Sequence, residues 1–440
     1  MKDLKTDIIA NWVKGSVLGS TQVQGVKVDS RAVEAGDLFV CLKGARVDGH
    51  DYIEDVIGKG AVAVLVDHKI DNLDVCQIIV DDTMAALQLF AKAYRDTLNA
   101  TFIGITGSNG KTSTKDLLFS ILSRVGNSIA TYKNQNTEIG TYLNLFRMND
   151  DTKFGIFEMG LDYVGDVAVM AECIRPDAGL VMSLAPAHMM NFDSIEHIAS
   201  EKMRIFDFVT HKDLSFYQGD FEQYRSISHG EHTFGFNEDN EWVVSDVSSN
   251  NHGISFKLDG VAYSSNLLGN HQASNCAGVI ALLSKLGIDD AVIREGLNHV
   301  ALTSLRTELV EKGNALVLLD AYKSNPISAK YALDLLAHYE YDGDRVAILS
   351  DMVELGPESH KAHLEVLDCI QDLNIKMVHT LGPEFKKALS DSRLDALRFT
   401  NDDTFEAFVE RVTPCFDEHA MILIKGSRSY QLERLMEEVK

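Results

Sequence analysis

The sequence predicts an α/β protein with three domains: a small α/β domain, a central domain around a parallel sheet, and a C-terminal Rossmann-like α/β domain. Three observations carry this prediction. The chain has 440 residues, which is too many for one hydrophobic core. From Thr101 onward, near-continuous apolar runs such as FGIFEMG and AGLVMSLAP alternate with helical stretches, as buried parallel strands and their crossover helices do. A second series of this kind begins near Ala315.

The composition is that of a globular protein with an acidic surface. It is 45% hydrophobic and 24% charged, and its formal net charge is −24. Because this charge repels the phosphates of DNA and RNA, we expect no nucleic acid partner. Local basic pockets for small phosphates are compatible with it.

Cysteine usage and the first residues indicate a reducing compartment. The six cysteines are scattered and form no C-x-x-C pair, which is the pattern of neither a zinc site nor a disulfide framework. The segment MKDLKTDIIANW lacks the apolar core of a signal peptide and carries Asp3 and Asp7. No apolar run is long enough to span a bilayer. We therefore expect a cytoplasmic protein without membrane insertion.

The elements of the N-terminal domain are short. Apolar strands are predicted at Asp37–Leu42 and Ala61–Val66, followed by a helix over TMAALQLFAKAYRD. The polar Asn99–Ala100 link then leads to the first strand of the central domain. The predicted domains are therefore 1–97, 98–305 and 306–440.

The central domain opens on the most informative stretch, TFIGITGSNGKTSTKDLL at 101–118. It predicts a buried strand, a glycine-rich turn and the start of a helix. Gly107 and Gly110 let the backbone curl around an anion, and Lys111 can reach phosphate oxygens. The general P-loop pattern needs a glycine at Ile105 and is missed by that one residue. The context of strand, loop and helix predicts a phosphate site.

Candidate metal and catalytic groups follow the loop. Thr112 or Ser113 can offer a hydroxyl to Mg²⁺, and Glu158 ends a strand beside the loop. His188 follows another strand, where a lone histidine is more often structural than a ligand. By composition alone Lys202, on the predicted helix SIEHIASEKMRIF, would be a solvated lysine.

Later segments complete the organisation. Residues 213–265 alternate aromatic and polar side chains, which predicts antiparallel strands added to the central domain. In the C-terminal domain polar residues follow three apolar strands, in DAYKSNP at 320–326, DMVELG at 351–356 and KGSR at 425–428. Because the carboxyl ends of parallel strands share one edge, these segments predict a ligand-facing surface. Its basic members could meet a carboxylate or a phosphate.

Together these residues resemble the Mur ligases, the ATP-dependent amide-forming enzymes of peptidoglycan precursor synthesis, over essentially the whole chain. The family's phosphate loop is T-G-x-N-G-K-[ST], and residues 106–112 are TGSNGKT. The family's loop does not require a glycine at the position of Ile105, which explains why the general P-loop pattern does not match. The further matches are NQNTEIG at 134–140, EMG at 158–160, Ala187–His188, Lys202, GNHQASN at 269–275, Arg306 with Glu308, and the three C-terminal segments.

The N-terminal segments separate branches within the family. The chain has no dinucleotide-fold glycine fingerprint and instead has Asp29–Arg31, GDLFVCLKG at 36–44 and DGHDYI at 48–53. These resemble the branches that add the third residue or the terminal dipeptide. DAYKSNP and DMVELG, without a D-[ND]-P-R signature, favour the branch that adds D-alanyl-D-alanine. The resemblance implies ATP, Mg²⁺, UDP-N-acetylmuramoyl-tripeptide and D-Ala-D-Ala as ligands, and an acyl phosphate as the intermediate.

The resemblance also implies residue roles. Lys111 would hold the β- and γ-phosphates of ATP, and Thr112 a first Mg²⁺. Glu158 and His188 would serve a second Mg²⁺, and Lys202 would be carbamylated and bridge to the metal. The other implied nucleotide contacts are Gly107, Ser108, Asn109, Gly110, Ser113, Asn270, His271, Asn275, Arg306 and Asp320. The implied substrate contacts are Ser30 and Arg31 for the UDP-sugar, Asn134, Asn136 and Thr137 near the reacting carboxylate, and Lys323, Ser324 and Asn325 near the dipeptide.

The chain departs from the family pattern at several positions. Lys323 and Ser324 stand where Asn and Ala are usual, Thr141 where Pro is common, and Ser183 where Asn is common. Gln272 replaces the usual Asn after the histidine. None of these changes removes a phosphate or metal group. They bear on the dipeptide contacts more than on the ATP chemistry.

Three alternative functions stay open from the sequence. One is the third-residue-adding Mur ligase, which takes L-lysine or diaminopimelate. Another is a folylpolyglutamate-type ligase, against which the N-terminal segments argue. The third is a nucleotide-binding regulator without catalysis. Because water would hydrolyse the acyl phosphate of a ligase, we expect the three domains to close around it, the third moving on a linker near Leu305. We also expect a monomer.

Overall fold

Three large sheets, each accompanied by helices, organise the protein in a computed structural model that describes residues 1–186, 189–392, 394 and 398–439. This confirms the prediction of a three-domain α/β protein. Within these described ranges no helix is long and apolar enough to cross a membrane.

The N-terminal domain is built on a five-stranded sheet of order β2-β7-β6-β5-β4. All its pairings are parallel except that of β2 with β7. Strands β5 and β6 are buried along their whole length, as continuous apolar runs in central strands require. The elements are β1 (Leu4–Lys5), α1 (Thr6–Trp12), β2 (Ser16–Leu18), β3 (Gln22–Val23), β4 (Gly25–Lys27), β5 (Asp37–Val40), α2 (Ile53–Gly58), β6 (Ala63–Val66), β7 (Cys76–Ile79) and α3 (Thr83–Asp96).

The central domain contains a nine-stranded sheet of order β16-β15-β14-β13-β12-β11-β8-β10-β9. Its phosphate-loop strand β8 lies between β10 and β11, so the loop emerges in the middle of the parallel part. The elements are β8 (Thr101–Thr106), α4 (Lys111–Leu122), β9 (Ser128–Ala130), α5 (Glu138–Leu145), β10 (Phe154–Glu158), α6 (Asp166–Ile174), β11 (Ala178–Val181), α7 (Ile195–Met203), β12 (Ser215–Gln218), α8 (Glu222–Arg225), β13 (His232–Gly235), β14 (Trp242–Asn250), β15 (Gly253–Leu258), β16 (Val261–Ser265), α9 (Gln272–Lys285) and α10 (Asp290–Leu297).

The prediction of antiparallel strands over 213–265 is wrong for the first part of that segment. Strands β12, β13 and β14 each pair parallel with the strand before them, whereas β15 and β16 pair antiparallel. Helix α9 packs over β12 and β13 and buries Phe216 and Phe234, which a parallel extension of the sheet allows. The alternation in the sequence comes mainly from β15, where buried and exposed residues alternate.

The C-terminal domain has a six-stranded sheet of order β17-β18-β22-β19-β20-β21, in which the pairing of β17 with β18 is antiparallel and the others are parallel. The three apolar strands predicted ahead of the polar segments DAYKSNP, DMVELG and KGSR are β18, β19 and β22. The elements are β17 (Glu308–Lys312), β18 (Ala315–Asp320), α11 (Pro326–His338), β19 (Asp344–Ser350), α12 (Ser359–Gln371), β20 (Met377–Leu381), α13 (Pro383–Asp391), β21 (Phe399–Asp402), α14 (Phe405–Val412), β22 (Ala420–Lys425) and α15 (Leu435–Glu438).

The first two domains share a hydrophobic core, because α3 packs against α5 and α6 of the central domain. The rings of Phe90 and Phe146 lie 4.5 Å apart between centroids. The buried hydroxyl of Tyr94 donates to the carbonyl of Met148 at 2.6 Å. The C-terminal domain instead follows α10 through an irregular linker that ends at β17.

Candidate active site

A cleft of about 370 Å³ lies between the phosphate loop of the central domain and the carboxyl ends of β18, β19 and β22 in the C-terminal domain. It brings together most of the residues that the sequence singled out. The predicted site residues that line it are Gly107, Ser108, Asn109, Gly110, Lys111, Thr112, Ser113, Asn134, Asn136, Glu158, Lys202, His271, Asn275, Arg306, Asp320, Lys323 and Ser324.

The phosphate loop turns sharply into α4. Gly107 and Gly110 have φ of 147° and 82°, in the region that favours glycine, and a Cβ at Gly110 would collide with the side chain of Asn275. Lys111 Nζ donates to the carbonyl of Gly107 at 2.7 Å and so folds back over the loop. Burial lowers the pKa of Lys111 to about 8. A glycine-rich turn that opens the N-terminus of a helix, with a lysine folded over it, is the kind of arrangement that binds a phosphate.

A buried carboxylate lies beside the loop, at the end of β10. Glu158 is 1% exposed, and its two oxygens accept from Thr112 Oγ1 at 2.8 Å and from Asn136 Nδ2 at 2.9 Å. Both donors are neutral, so no direct ion pair compensates this charge among the described residues. A carboxylate, a hydroxyl and an amide oxygen are hard ligands of the kind that Mg²⁺ takes. The residues therefore fit a divalent cation next to the phosphate site.

Lys202 lies on the buried side of α7, and the expectation of a solvated lysine is wrong. It is 3% exposed, and no hydrogen-bond acceptor or carboxylate of the described ranges lies within bonding distance of its amine. Burial, followed by the charges of Lys111 and Lys323, lowers its pKa well below the ordinary value. His188, the other predicted metal-site residue of this region, lies outside the described residues.

The C-terminal domain supplies the opposite wall. Lys425 Nζ donates to Asp320 Oδ2 at 2.6 Å and to the carbonyl of Lys323 at 3.0 Å, which joins the ends of β22 and β18. The guanidinium of Arg306 lies over the ring of Tyr322, 4.7 Å from its centroid. Lys323 opens into the cleft, yet its pKa is lowered because the cleft walls remove much of its hydration. This wall carries a net excess of cations toward the phosphate loop.

Two contacts across the cleft were not predicted. Asn325 Nδ2 donates to Asn109 Oδ1 at 2.7 Å, and Asn109 Nδ2 donates to Asn325 Oδ1 at 3.3 Å. The rings of His271 and Tyr331 stack at 4.6 Å with an angle of 6° between their planes. The sequence marks Asn325 as a residue before a proline, and in the structure it caps α11, but nothing in the sequence indicates its partner in the phosphate loop.

Several predicted contacts lie away from the cleft. Asn270 is exposed and does not line it, and Thr137 uses its hydroxyl to cap α5 through Gly140 N at 3.3 Å. Ser30 and Arg31 lie on the surface of the N-terminal domain, where Arg31 makes a bidentate pair with Asp29 at 2.9 and 2.7 Å. The structure therefore separates the nucleotide-facing groups from the residues expected to hold a sugar.

A second group of titratable side chains lies in the N-terminal domain. His50, Asp67 and His68 place their ligand atoms within 4.8 Å of one another. Asp67 is already compensated there, because Lys43 Nζ lies 2.5 Å from its Oδ2, and this hydrogen bond, with that of His68, lowers the pKa of Asp67 to about 2. His50 in turn pairs with Asp48 at 2.6 Å. The carboxylates of this group are therefore already bonded to protein side chains.

Comparison with known proteins agrees with this architecture. Family models match residues 22–95 (Mur ligase family, catalytic domain), 105–283 (Mur ligase middle domain) and 305–428 (Mur ligase, glutamate ligase domain). The chain belongs to the Mur ligase family.

Three relatives match this chain over almost its whole length. A UDP-N-acetylmuramoyl-tripeptide--D-alanyl-D-alanine ligase of Bacillus subtilis (strain 168) is 32% identical over 447 residues, which cover 98% of this chain and 97% of the relative. MurF from Acinetobacter baumannii has a TM-score of 0.89 at 24% identity and covers 100% of this chain and 99% of its own. MurF from Thermotoga maritima in complex with ADP has a TM-score of 0.81 at 24% identity, with 94% and 96% covered. These two structures share the three-domain fold.

Proposed function

We propose that this chain is an ATP-dependent ligase that joins D-alanyl-D-alanine to UDP-N-acetylmuramoyl-tripeptide in peptidoglycan precursor synthesis. Relatives matched over almost the whole chain are named for this activity. The observation that carries the proposal is the shared cleft, where Asn109 of the phosphate loop is bonded to Asn325 of the C-terminal domain. An ATP phosphate and an acceptor held by these two walls would be neighbours.

The chemistry follows from the poor reactivity of a carboxylate, whose oxide is a poor leaving group. Transfer of the γ-phosphoryl group of ATP to the tripeptide carboxylate gives an acyl phosphate and ADP. The neutral amine of the dipeptide then attacks the acyl carbon, the C–O bond to phosphate breaks and inorganic phosphate leaves. The nitrogen gives up a proton to a base or to water as the amide forms. Lys111 and the N-terminus of α4 offset the negative charge of the transferring group.

The groups around Glu158 would hold Mg²⁺, which when bound neutralises phosphate charge. Thr112 would hold a first Mg²⁺, Glu158 and His188 would hold a second, and a carbamylated Lys202 would bridge to the metal. The burial and lowered pKa of Lys202 support its modification, since only a neutral amine reacts with CO₂.

The remaining roles are divided between domains. We place the UDP-sugar on Ser30 and Arg31 of residues 1–97, the nucleotide on residues 98–305, and the dipeptide near Lys323 of residues 306–440. We further propose substrate contacts at Asn134, Asn136, Thr137, Ser324 and Asn325. The proposed nucleotide contacts are Asn270, His271, Asn275, Arg306 and Asp320. We propose that the enzyme works as a cytoplasmic monomer.

The test is phosphate release from ATP and Mg²⁺ with each acceptor in turn. We expect release with UDP-N-acetylmuramoyl-tripeptide plus D-Ala-D-Ala, and a pentapeptide product by mass spectrometry. Release only with the dipeptide precursor plus L-lysine or diaminopimelate would assign the third-residue-adding reaction. ATP binding without release for any acceptor would assign a regulator without catalysis.

A further inference from the structure

The linker between the central and C-terminal domains is bonded to the helix that follows the phosphate loop. Thr303 N donates to Asp116 Oδ2 at 2.8 Å, and Thr303 Oγ1 donates to Asp116 Oδ1 at 3.2 Å. Lys115 Nζ donates to Thr303 Oγ1 at 3.1 Å. Three hydrogen bonds from α4 therefore converge on one residue of the linker.

The two charged partners of Thr303 are themselves buried. The side chains of Lys115 and Asp116 are 5% and 9% exposed, and Lys115 Nζ lies 3.0 Å from Asp116 Oδ1. Adjacent residues of a helix do not ordinarily face each other, so both side chains turn toward a common point. A buried ion pair is weak support for stability, and its best-attested use is to fix one arrangement among several. What this pair fixes is the position of Thr303.

The chain enters the cleft immediately after this anchor. Leu305 and Thr307 have φ of 64° and 54°, in the left-handed region that is strained for residues other than glycine. Arg306, between them, lines the cleft and lies over Tyr322. Three residues of extended chain span at most about 11 Å, so a fixed Thr303 keeps the backbone of Arg306 within that distance.

We propose that Thr303 is a positioning residue: Lys115 and Asp116 hold it, and it thereby sets where Arg306 enters the cleft when ATP binds. The inference rests on the proposed function. Lys111 and Lys115 are one helical turn apart, about 6 Å along α4, so the phosphate site and the anchor move as one body. Helix α4 then holds the linker to the C-terminal domain in a fixed position relative to the phosphate loop.

The test compares Thr303→Val, which keeps the shape but lacks the hydroxyl, with Thr303→Ser, which keeps the hydroxyl. For Thr303→Val we expect the KM for ATP to rise about tenfold, because the two hydrogen bonds that hold the linker at a buried charge are lost, while the KM for the UDP-substrate stays near wild type. Thr303→Ser should restore the KM for ATP. A wild-type KM in Thr303→Val, or an equal loss in both variants, would overturn the proposal.

Ser120→Ala is the matched control on the same helix. Ser120 Oγ donates to the carbonyls of Gly296 at 2.9 Å and His299 at 3.1 Å and bonds neither Thr303 nor Arg306, so its loss should leave the KM for ATP unchanged. A wild-type protein without turnover would contradict the proposed function alone. Calorimetry with Mg²⁺ and a non-hydrolysable ATP analogue would then still test the anchor, which requires about tenfold weaker binding by Thr303→Val than by wild type.

Discussion

Lys111 combines a structural contact with the chemistry of the loop. Its amine closes the turn by donating to the carbonyl of Gly107, and Lys111 is itself the first residue of α4. We expect Lys111→Met to lower kcat by about 10²–10³-fold or more, the cost of removing one preorganised charge-stabilising donor, with the fold retained. Phosphate release measures the change in kcat, and circular dichroism checks that the fold is retained.

The control for Lys111→Met is Lys330→Met on α11. Lys330 pairs with Glu365 at 3.0 Å on the surface and does not line the cleft, so this variant should keep wild-type kcat. Near-normal turnover in Lys111→Met would remove the phosphate loop from the proposed mechanism.

His271 gives the stability of the protein a defined pH dependence. Burial lowers its pKa to about 4 from 6.5, whereas in the unfolded chain it would titrate near 6.5. Between these pH values the unfolded chain binds a proton that the folded chain does not, so the free energy of unfolding falls as pH drops from 6.5 toward 4. The total loss in the free energy of unfolding is at most about 3 kcal/mol, and it does not grow further below pH 4.

His271→Phe removes this titration but keeps an aromatic ring for the stack on Tyr331. We expect the melting temperature of the wild type to fall relative to the variant as pH drops from 7.5 to 4.5, as measured by calorimetry. If the melting temperatures of wild type and His271→Phe changed with pH in the same way, burial would not depress the pKa of His271.

At the scale of elements, the sequence predicts the strands, turns and helices that are determined by neighbouring residues. Strand β8, the turn at Gly107 and Gly110 and helix α4 follow one another within a few residues, and each carries its own pattern of apolar spacing or glycine. The parallel pairing of β12 and β13 was not predictable in this way. It depends on α9, which arrives some 40 residues later in the chain and covers their aromatic side chains.

Contacts across the cleft were the least predictable part of the site. Asn109 and Asn325 are 216 residues apart, and each belongs to a motif that makes local sense alone. The burial of Lys202 shows the same limit, because a lysine near the end of an amphipathic helix is normally solvated. Chemistry-bearing residue types were predictable from the sequence, whereas their partners depend on how the domains meet.

The N-terminal end of α11 has two functions that one substitution can separate. Asn325 caps the helix by accepting from Ser328 N at 3.0 Å, and its amide also donates to Asn109. Aspartate caps helices as well as asparagine but has no amide donor. Asn325→Asp should therefore keep the cap of α11 while lowering kcat, whereas Asn325→Ala should lose the cap as well, which costs about 1 kcal/mol of stability.

The matched control is Thr404→Ala, which removes the cap of α14 in the same domain, far along the chain from the phosphate loop. It should cost a similar stability and leave kcat unchanged, as measured by thermal melts and phosphate release. Wild-type kcat in Asn325→Asp would show that the pair across the cleft is dispensable for turnover.

At the scale of the whole molecule, the domains are attached in two different ways. The N-terminal domain is fixed to the central domain through the buried face of α3, and the C-terminal domain through a linker and the cleft contacts. Although the chain carries a net charge of −24, the cleft gathers several cations, so anionic ligands are attracted locally to a protein that repels them elsewhere. Such an arrangement suits two anionic substrates that approach from different domains.

This division predicts that binding of the two substrates can be weakened separately. Arg31 lies on the N-terminal domain with its side chain 87% exposed, paired with Asp29 and available to a diphosphate. We expect Arg31→Ala to raise the KM for the UDP-substrate about tenfold, the value of one charge-assisted hydrogen bond, and to leave the KM for ATP unchanged. Lys14→Ala, at an exposed lysine of the same domain, should change neither KM. If Arg31→Ala raised the KM for ATP instead, or neither KM, the UDP-sugar would have to bind elsewhere than on the surface that carries Ser30 and Arg31.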